Sequence, residues 1–136
     1  MAKILIVDDD PDMRLAIASV LNSRSYQVIE ACDGQEALRK LREEKPDLML
    51  LDLLMPVMDG FAVIKELRGS PTKGYPDLPI LVISSVREEA SHRRYELELG
   101  HKLVTDDYIE KPIEPFVLLK RIEELLSKGG KDAKTD

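Results

Sequence analysis

Tryptophan is absent and cysteine occurs once, at Cys32, in a chain of 136 residues. A single thiol excludes an internal disulfide framework and a cysteine-based zinc site. Two phenylalanines and four tyrosines leave little aromatic surface on which bases could stack. Basic charge is also short: 20 Lys and Arg against 26 Asp and Glu give a formal net charge of −6. That balance argues against nucleic acid as the main partner, because such binding rests on neutralising phosphates. Long apolar runs are missing; Leu48–Leu51 is typical of the longest, far below the ~20 residues of a bilayer span. The N-terminus reaches Asp8 before a signal-type apolar stretch can form, so the expected location is the cytoplasm. No Gly-x-Gly-x-x-Gly occurs, which removes the usual dinucleotide loop. What remains is 43% hydrophobic and 34% charged, enough to bury the core of one compact domain. That domain is expected over residues 1–127, with a polar tail at 128–136.

Apolar runs and turn residues alternate along the chain. Lys3–Val7 is short, rich in β-branched residues and followed by Asp8, Asp9 and Asp10, which reads as a strand buried on both faces. Asp10-Pro11 then starts a helix, with a carboxylate cap and proline at the first helical position. Its apolar side is Met13, Ala16, Ile17, Val20 and Leu21. A second strand spans Tyr26–Glu30. Asp33 and Glu36 frame a capping box for a helix carrying Ala37, Leu38 and Leu41. Asp47–Asp52 is a third buried strand, and Asp59-Gly60 opens a helix with Phe61, Ile64 and Leu67 on one side. Pro79–Ile83 and Asp107–Glu110 complete the strands; Arg87–Leu99 and Pro115–Leu126 complete the helices. The last helix is expected to present Phe116, Leu119, Ile122 and Leu126 to the core. Such alternation predicts a parallel sheet covered by helices on both faces and joined by right-handed crossovers.

In an open parallel sheet, ligands bind beyond the carboxyl ends of the strands. The residues there are Asp8, Asp9 and Asp10 after the first strand, Asp52 after the third, Ser84 after the fourth and Lys111 after the fifth. Crowded carboxylates repel and retain protons unless a cation joins them. A hard divalent ion with oxygen ligands, Mg²⁺ above all, resolves the conflict and leaves positions open for a phosphoryl oxygen. Lys111 adds a point charge and Ser84 a hydroxyl donor for the same group. The chemistry suggested is phosphoryl transfer onto an aspartate.

These residues resemble the receiver domain of bacterial two-component response regulators, from Ile4 to about Leu126. The matching pieces are Ile6-Val7-Asp8-Asp9-Asp10, Asp52 through Gly60, Ser84-Ser85, and Tyr108-Ile109-Glu110-Lys111-Pro112. The resemblance implies a flavodoxin-like, doubly wound α/β fold: five parallel strands in the order 2-1-3-4-5 and five helices. It implies that Asp52 is the phosphoacceptor, and that Asp8, Asp9, Asp52 and the Leu54 backbone carbonyl hold Mg²⁺. Ser84 and Lys111 would contact phosphate, Tyr108 would rotate with Ser84 as a switch, and the Lys111–Pro112 bond would be cis. The implied donor is a sensor histidine kinase or phosphotransfer protein. Output would pass to a downstream protein through the fourth-helix, fifth-strand and fifth-helix face, with dimerisation on phosphorylation as a further option. No enzymatic activity is expected beyond phosphorylation and dephosphorylation of Asp52, and no direct contact with nucleic acid or membrane. Ser84 stands where threonine is commoner and Ser85 where alanine is; the stretches 71–76 and 100–107 are longer than usual. Apolar Leu54 and Val86 are expected to shield the phosphoryl group from water.

Blander readings stand beside these. Asp10 and Asp59 read as helix-capping or turn residues, Asp106 and Asp107 as loop residues, and Cys32 as inert. His92 and His101, nine positions apart, do not have the spacing of paired ligands on a helix. Two rival functions are weighed. A haloacid-dehalogenase-type phosphatase would use Asp8 of Asp8-x-Asp10 as nucleophile, but Pro11-Asp12 breaks the pattern that should follow. Flavin binding wants a hydroxyl- and glycine-rich loop after the first strand, where three aspartates would repel the flavin phosphate.

Overall fold

The structure, a computed structural model, describes residues 2–53, 55, 57–68, 78–84 and 107–129. Five strands, β1 (Lys3–Val7), β2 (Gln27–Ala31), β3 (Leu48–Asp52), β4 (Ile80–Ser84) and β5 (Asp107–Glu110), form one sheet in the order β2-β1-β3-β4-β5. All four pairings are parallel. The described helices are α1 (Pro11–Asn22), α2 (Gly34–Glu44), α3 (Gly60–Arg68) and a C-terminal helix, Pro115–Gly129. The fifth expected helix, Arg87–Leu99, lies outside the described residues, as do 71–76 and 100–106. No described helix is long and apolar enough to cross a membrane.

The apolar runs are continuous because the sheet is covered on both faces. Strand alternation divides them. Ile4, Ile6, Leu48, Leu50, Leu81, Ile83 and Ile109 pack with Ile17 and Leu21 of α1 and Leu118 and Ile122 of the C-terminal helix. Leu5, Val7, Met49, Leu51, Ile80 and Val82 pack with Ala37 and Leu41 of α2 and Phe61, Ile64 and Leu67 of α3. Every residue of β3, the central strand, is buried.

Caps fall where the sequence places them. Asp10 accepts from the Asp12 N–H at 3.0 Å, Asp33 from Glu36 at 2.9 Å and Asp59 from Ala62 at 2.9 Å. Five expectations need correction. β3 begins at Leu48 rather than at Asp47, which is exposed. β2 begins at Gln27 rather than Tyr26, because the Tyr26 N–H is used by the end of α1, donating to Leu21 O at 3.2 Å. β4 runs Ile80–Ser84, one residue later than expected; Pro79 has no N–H for the ladder, although its carbonyl accepts from Met49 at 3.0 Å. In α1 the buried alanine is Ala18, while Ala16 is exposed. The C-terminal helix extends to Gly129 and buries Leu118, Leu119, Ile122 and Leu125, leaving Phe116 65% exposed. A one-position rotation of the helical stripe separates that face from the expected one.

Gly60 has a tight local role. Its N–H donates to Leu53 O at 2.8 Å, and a Cβ there would run into the Asp52 carbonyl oxygen and come within 2.8 Å of the Leu53 Cα. Both obstacles are backbone, so neither can rotate away. Gly60→Ala is expected to lose about 2 kcal/mol of stability by overpacking, read as a lower denaturation midpoint at unchanged m-value. A midpoint equal to or above the native one would contradict this packing.

Candidate metal and phosphoryl site

Sheet register builds the site. β1 and β3 align Ile6 with Leu50 and Val7 with Leu51, so one further step sets Asp8 beside Asp52 at the carboxyl edge. Both carboxylates continue the alternation of the face that carries Ile6 and Leu50. They are the buried charged residues among the described ones, Asp8 at 3% and Asp52 at 4% exposure. Asp9 follows on the exposed turn. One carboxylate oxygen from each of Asp8, Asp9 and Asp52 lies within 4.8 Å of the others.

Lys111 arrives from the other side of the sheet. It follows β5, and its Nζ lies 3.8 Å from Asp52 Oδ1. The Lys111–Pro112 bond is cis. Ser84 closes β4 opposite Glu110, and Tyr108 lies in β5 opposite Val82; for both, the described part is the backbone. Leu54, whose carbonyl is an expected ligand, lies outside the described residues, together with Ser85 and Val86.

Asp8 is fixed from several directions. Its N–H donates to Ala31 O at 3.1 Å, and its Oδ1 accepts from the Asp10 N–H at 2.9 Å. Its backbone oxygen accepts from Arg14 Nη1 at 2.7 Å. Sequence reading missed Arg14, since a side chain that grips a carbonyl leaves no motif. Asp107, expected as a loop residue in one reading, opens β5 and pairs with Arg121 at 2.9 Å. Cys32 is exposed, and the neighbouring Glu36 carboxylate holds its thiol above the ordinary pKa, which suits an unreactive role.

Burial pushes the Asp8 carboxyl above its ordinary value of 3.8. The Asp10 N–H and the Lys111 ammonium oppose this rise, while the Asp9 and Asp10 charges add to it. Clustered hard oxygens with one member reluctant to ionise form a donor set that fits a small divalent cation such as Mg²⁺. The consequence for stability has a definite sign. A raised folded-state pKa contributes stability that is full below about 3.8 and is lost as pH rises through the folded value. Metal-free Asp8→Asn is therefore expected to melt at or above the native temperature at pH 7, with the gap closing towards pH 4. Adding Mg²⁺ should reverse the ranking, because the amide forfeits about tenfold or more in affinity, some 1.4 kcal/mol. Thermal unfolding with and without Mg²⁺ at both pH values measures this.

Comparison with known proteins gives the family. The family described as the response regulator receiver domain matches residues 4–123. The chain is 40% identical over 129 residues to a probable transcriptional regulator, ycf27, of Porphyridium aerugineum, covering 95% of this chain and 50% of that protein. It is 37% identical over 127 residues to the alkaline phosphatase synthesis transcriptional regulatory protein PhoP of Bacillus subtilis (strain 168), covering 93% and 49%. The chain thus spans about half the length of the curated relatives it matches. Among solved structures, a putative response regulator from Chloroflexus aurantiacus J-10-fl superposes with a TM-score of 0.77 at 32% identity, covering 93% of this chain and 98% of that one. Fold, strand-end acids and family match agree: this chain belongs to the receiver-domain family of two-component response regulators.

Proposed function

We propose that the domain is a phosphorylation switch in which Asp52 accepts a phosphoryl group from a phosphohistidine of a sensor kinase or phosphotransfer protein. The observation that carries this reading is the approach of the Asp8, Asp9 and Asp52 carboxylates to within 4.8 Å, with Lys111 Nζ 3.8 Å from Asp52. An Asp52 oxygen forms the new bond to phosphorus as the phosphorus–nitrogen bond to imidazole breaks. The electron pair leaves with the imidazole nitrogen, which takes up a proton. Little covalent work falls to the protein in such a transfer; positioning and charge neutralisation do most of it. Asp8, Asp9 and Asp52 would hold Mg²⁺, which when bound neutralises charge on the phosphoryl oxygens. Lys111 supplies the second positive charge. Its side chain is 24% exposed, so the ammonium lies near Asp52 and keeps access to water.

On this reading the protein acts in the cytoplasm and catalyses only the gain and loss of its own phosphoryl group. The added charge engages Lys111 and the Ser84 hydroxyl and biases the neighbouring face towards a second conformation. Output is then read by a downstream protein at β5, the C-terminal helix and the helix expected at Arg87–Leu99. The half-covered relatives are named as transcriptional regulators, which supports control of transcription as the alternative output. Intact mass after incubation with acetyl phosphate and Mg²⁺ tests the core of the proposal. Gain of one phosphoryl group, abolished by a chelator, is expected. Lack of any gain with Mg²⁺ bound would overturn small-donor phosphorylation, and a gain insensitive to chelation would overturn the metal's role.

A further inference from the structure

The geometry points to Arg14 as the residue that positions the acidic cluster for its cation, an inference that rests on the Mg²⁺ reading above. Arg14 lies in the first turn of α1 and uses two faces of its guanidinium. Nη1 donates to Asp8 O at 2.7 Å, and Nε donates to Glu30 Oε1 at 3.0 Å. Glu30 belongs to β2 and pairs with Ile6 of β1. The guanidinium therefore ties α1, the end of β1 and the edge strand together at one point. It is well covered, with the side chain 18% exposed.

The bonded oxygen is the one that matters. Asp8 O belongs to the peptide that joins Asp8 to Asp9, and a peptide unit is rigid and planar. Anchoring that oxygen fixes the plane, and with it the direction in which the chain enters Asp9. The Asp8 N–H is held by Ala31 and its carboxylate by the Asp10 N–H, so Arg14 supplies the remaining restraint. Without it, the exposed Asp9 carboxylate loses the fixed backbone that brings it to Asp8 and Asp52. A planar fork suits this task, since two donors leave the same rigid group in set directions; the single ammonium of lysine cannot hold both partners in that geometry. Arg14 touches none of the three carboxylates in the described contacts, so its action is through the peptide.

Two other roles make different demands. A purely structural tie between helix and strand would affect folding and leave cation affinity alone. A purely electrostatic role has the opposite sign, because removing a cation beside an acidic cluster strengthens Mg²⁺ binding. Positioning weakens it. Mg²⁺ binding is measured by calorimetry for the native protein, Arg14→Ala, Arg14→Lys and Glu30→Gln, alongside thermal unfolding without metal. Arg14→Ala is expected to raise the Mg²⁺ dissociation constant about tenfold or more, in the range seen when groups supporting metal ligands are removed. Arg14→Lys should recover part of that loss. Glu30→Gln, which retains the bond to Asp8 O, should lose less than Arg14→Ala. Raising Mg²⁺ should move the phosphorylation rate of Arg14→Ala back towards the native one, because the loss is in binding.

An unchanged or lower dissociation constant in both Arg14 variants overturns the assignment, whatever happens to the melting temperature. If Arg14→Ala does not fold, Arg14→Lys still decides: an affinity equal to native overturns the requirement for the fork. Native protein that binds no Mg²⁺ overturns the metal reading itself and this inference with it, an outcome distinct from failure of Arg14 alone.

Discussion

Asp52→Asn is expected to abolish the covalent adduct while leaving the domain folded. Amide and carboxylate are nearly isosteric, so the buried end of β3 keeps its packing. The amide is no nucleophile towards phosphorus, and removal of a covalent nucleophile typically costs a factor of about 10⁴ or more in rate. The effect on stability is smaller for a specific reason. Breaking a buried ion pair is costly when the abandoned charge stays buried, but Lys111 is 24% exposed and can turn to water. Mutual repulsion among Asp8, Asp9 and Asp52 also eases. A net change within about 1 kcal/mol is expected, checked by denaturation without metal. A variant that still gains phosphate would exclude Asp52 as the acceptor.

Lys111→Ala should move two observables in opposite directions. Lys111 Nζ lies 3.8 Å from Asp52 Oδ1. Losing a preorganised donor that meets developing charge costs about 10²–10³ in rate, so phosphorylation at saturating Mg²⁺ should slow by that order. The same ammonium competes with a metal cation for the acidic cluster and helps to hold the Asp8 pKa down. Its removal leaves one more uncompensated negative charge, so Mg²⁺ should bind several-fold tighter at pH 7, on the order of 1 kcal/mol by Coulomb's law in a screened site. Slower transfer with tighter metal binding separates a phosphoryl-contacting lysine from a structural one. A variant that loses both together would point to collapse of the site.

Much of the fold was legible because both faces of the sheet are covered. Continuous apolar runs such as Ile4–Val7 and Leu48–Leu51 can then be only central strands, and their parallel pairing follows from the intervening helices. The misplacements have local causes. Tyr26 looks like strand residue, but its N–H serves the α1 terminus. Ala16 and Ala18 are chemically identical, so only packing against the sheet distinguishes them. Phe116 looks like core by hydropathy, yet the stripe centred on Leu118, Ile122 and Leu125 outcompetes it and leaves it in solvent.

The acidic site was legible for a different reason. Asp8, Asp52 and Lys111 each directly follow or end a strand, and strand ends converge in this topology. Arg14 was not legible: its partner is a carbonyl oxygen, which every residue possesses, and its spacing from Asp8 reads simply as the start of an amphipathic helix. Asp107 was half legible, since its strand position was expected while its pairing with Arg121 depends on how the C-terminal helix crosses β5.

The most direct measurement is chemical mapping of the phosphorylated residue. Protein treated with acetyl phosphate and Mg²⁺ is reduced with borohydride, which converts an aspartyl phosphate to homoserine, and the modified peptide is sequenced by mass spectrometry. Homoserine at position 52 alone is the expected result. Homoserine at position 8 or 9, with Asp52 intact, would contradict the account and transfer the nucleophile's role to the β1 end of the sheet.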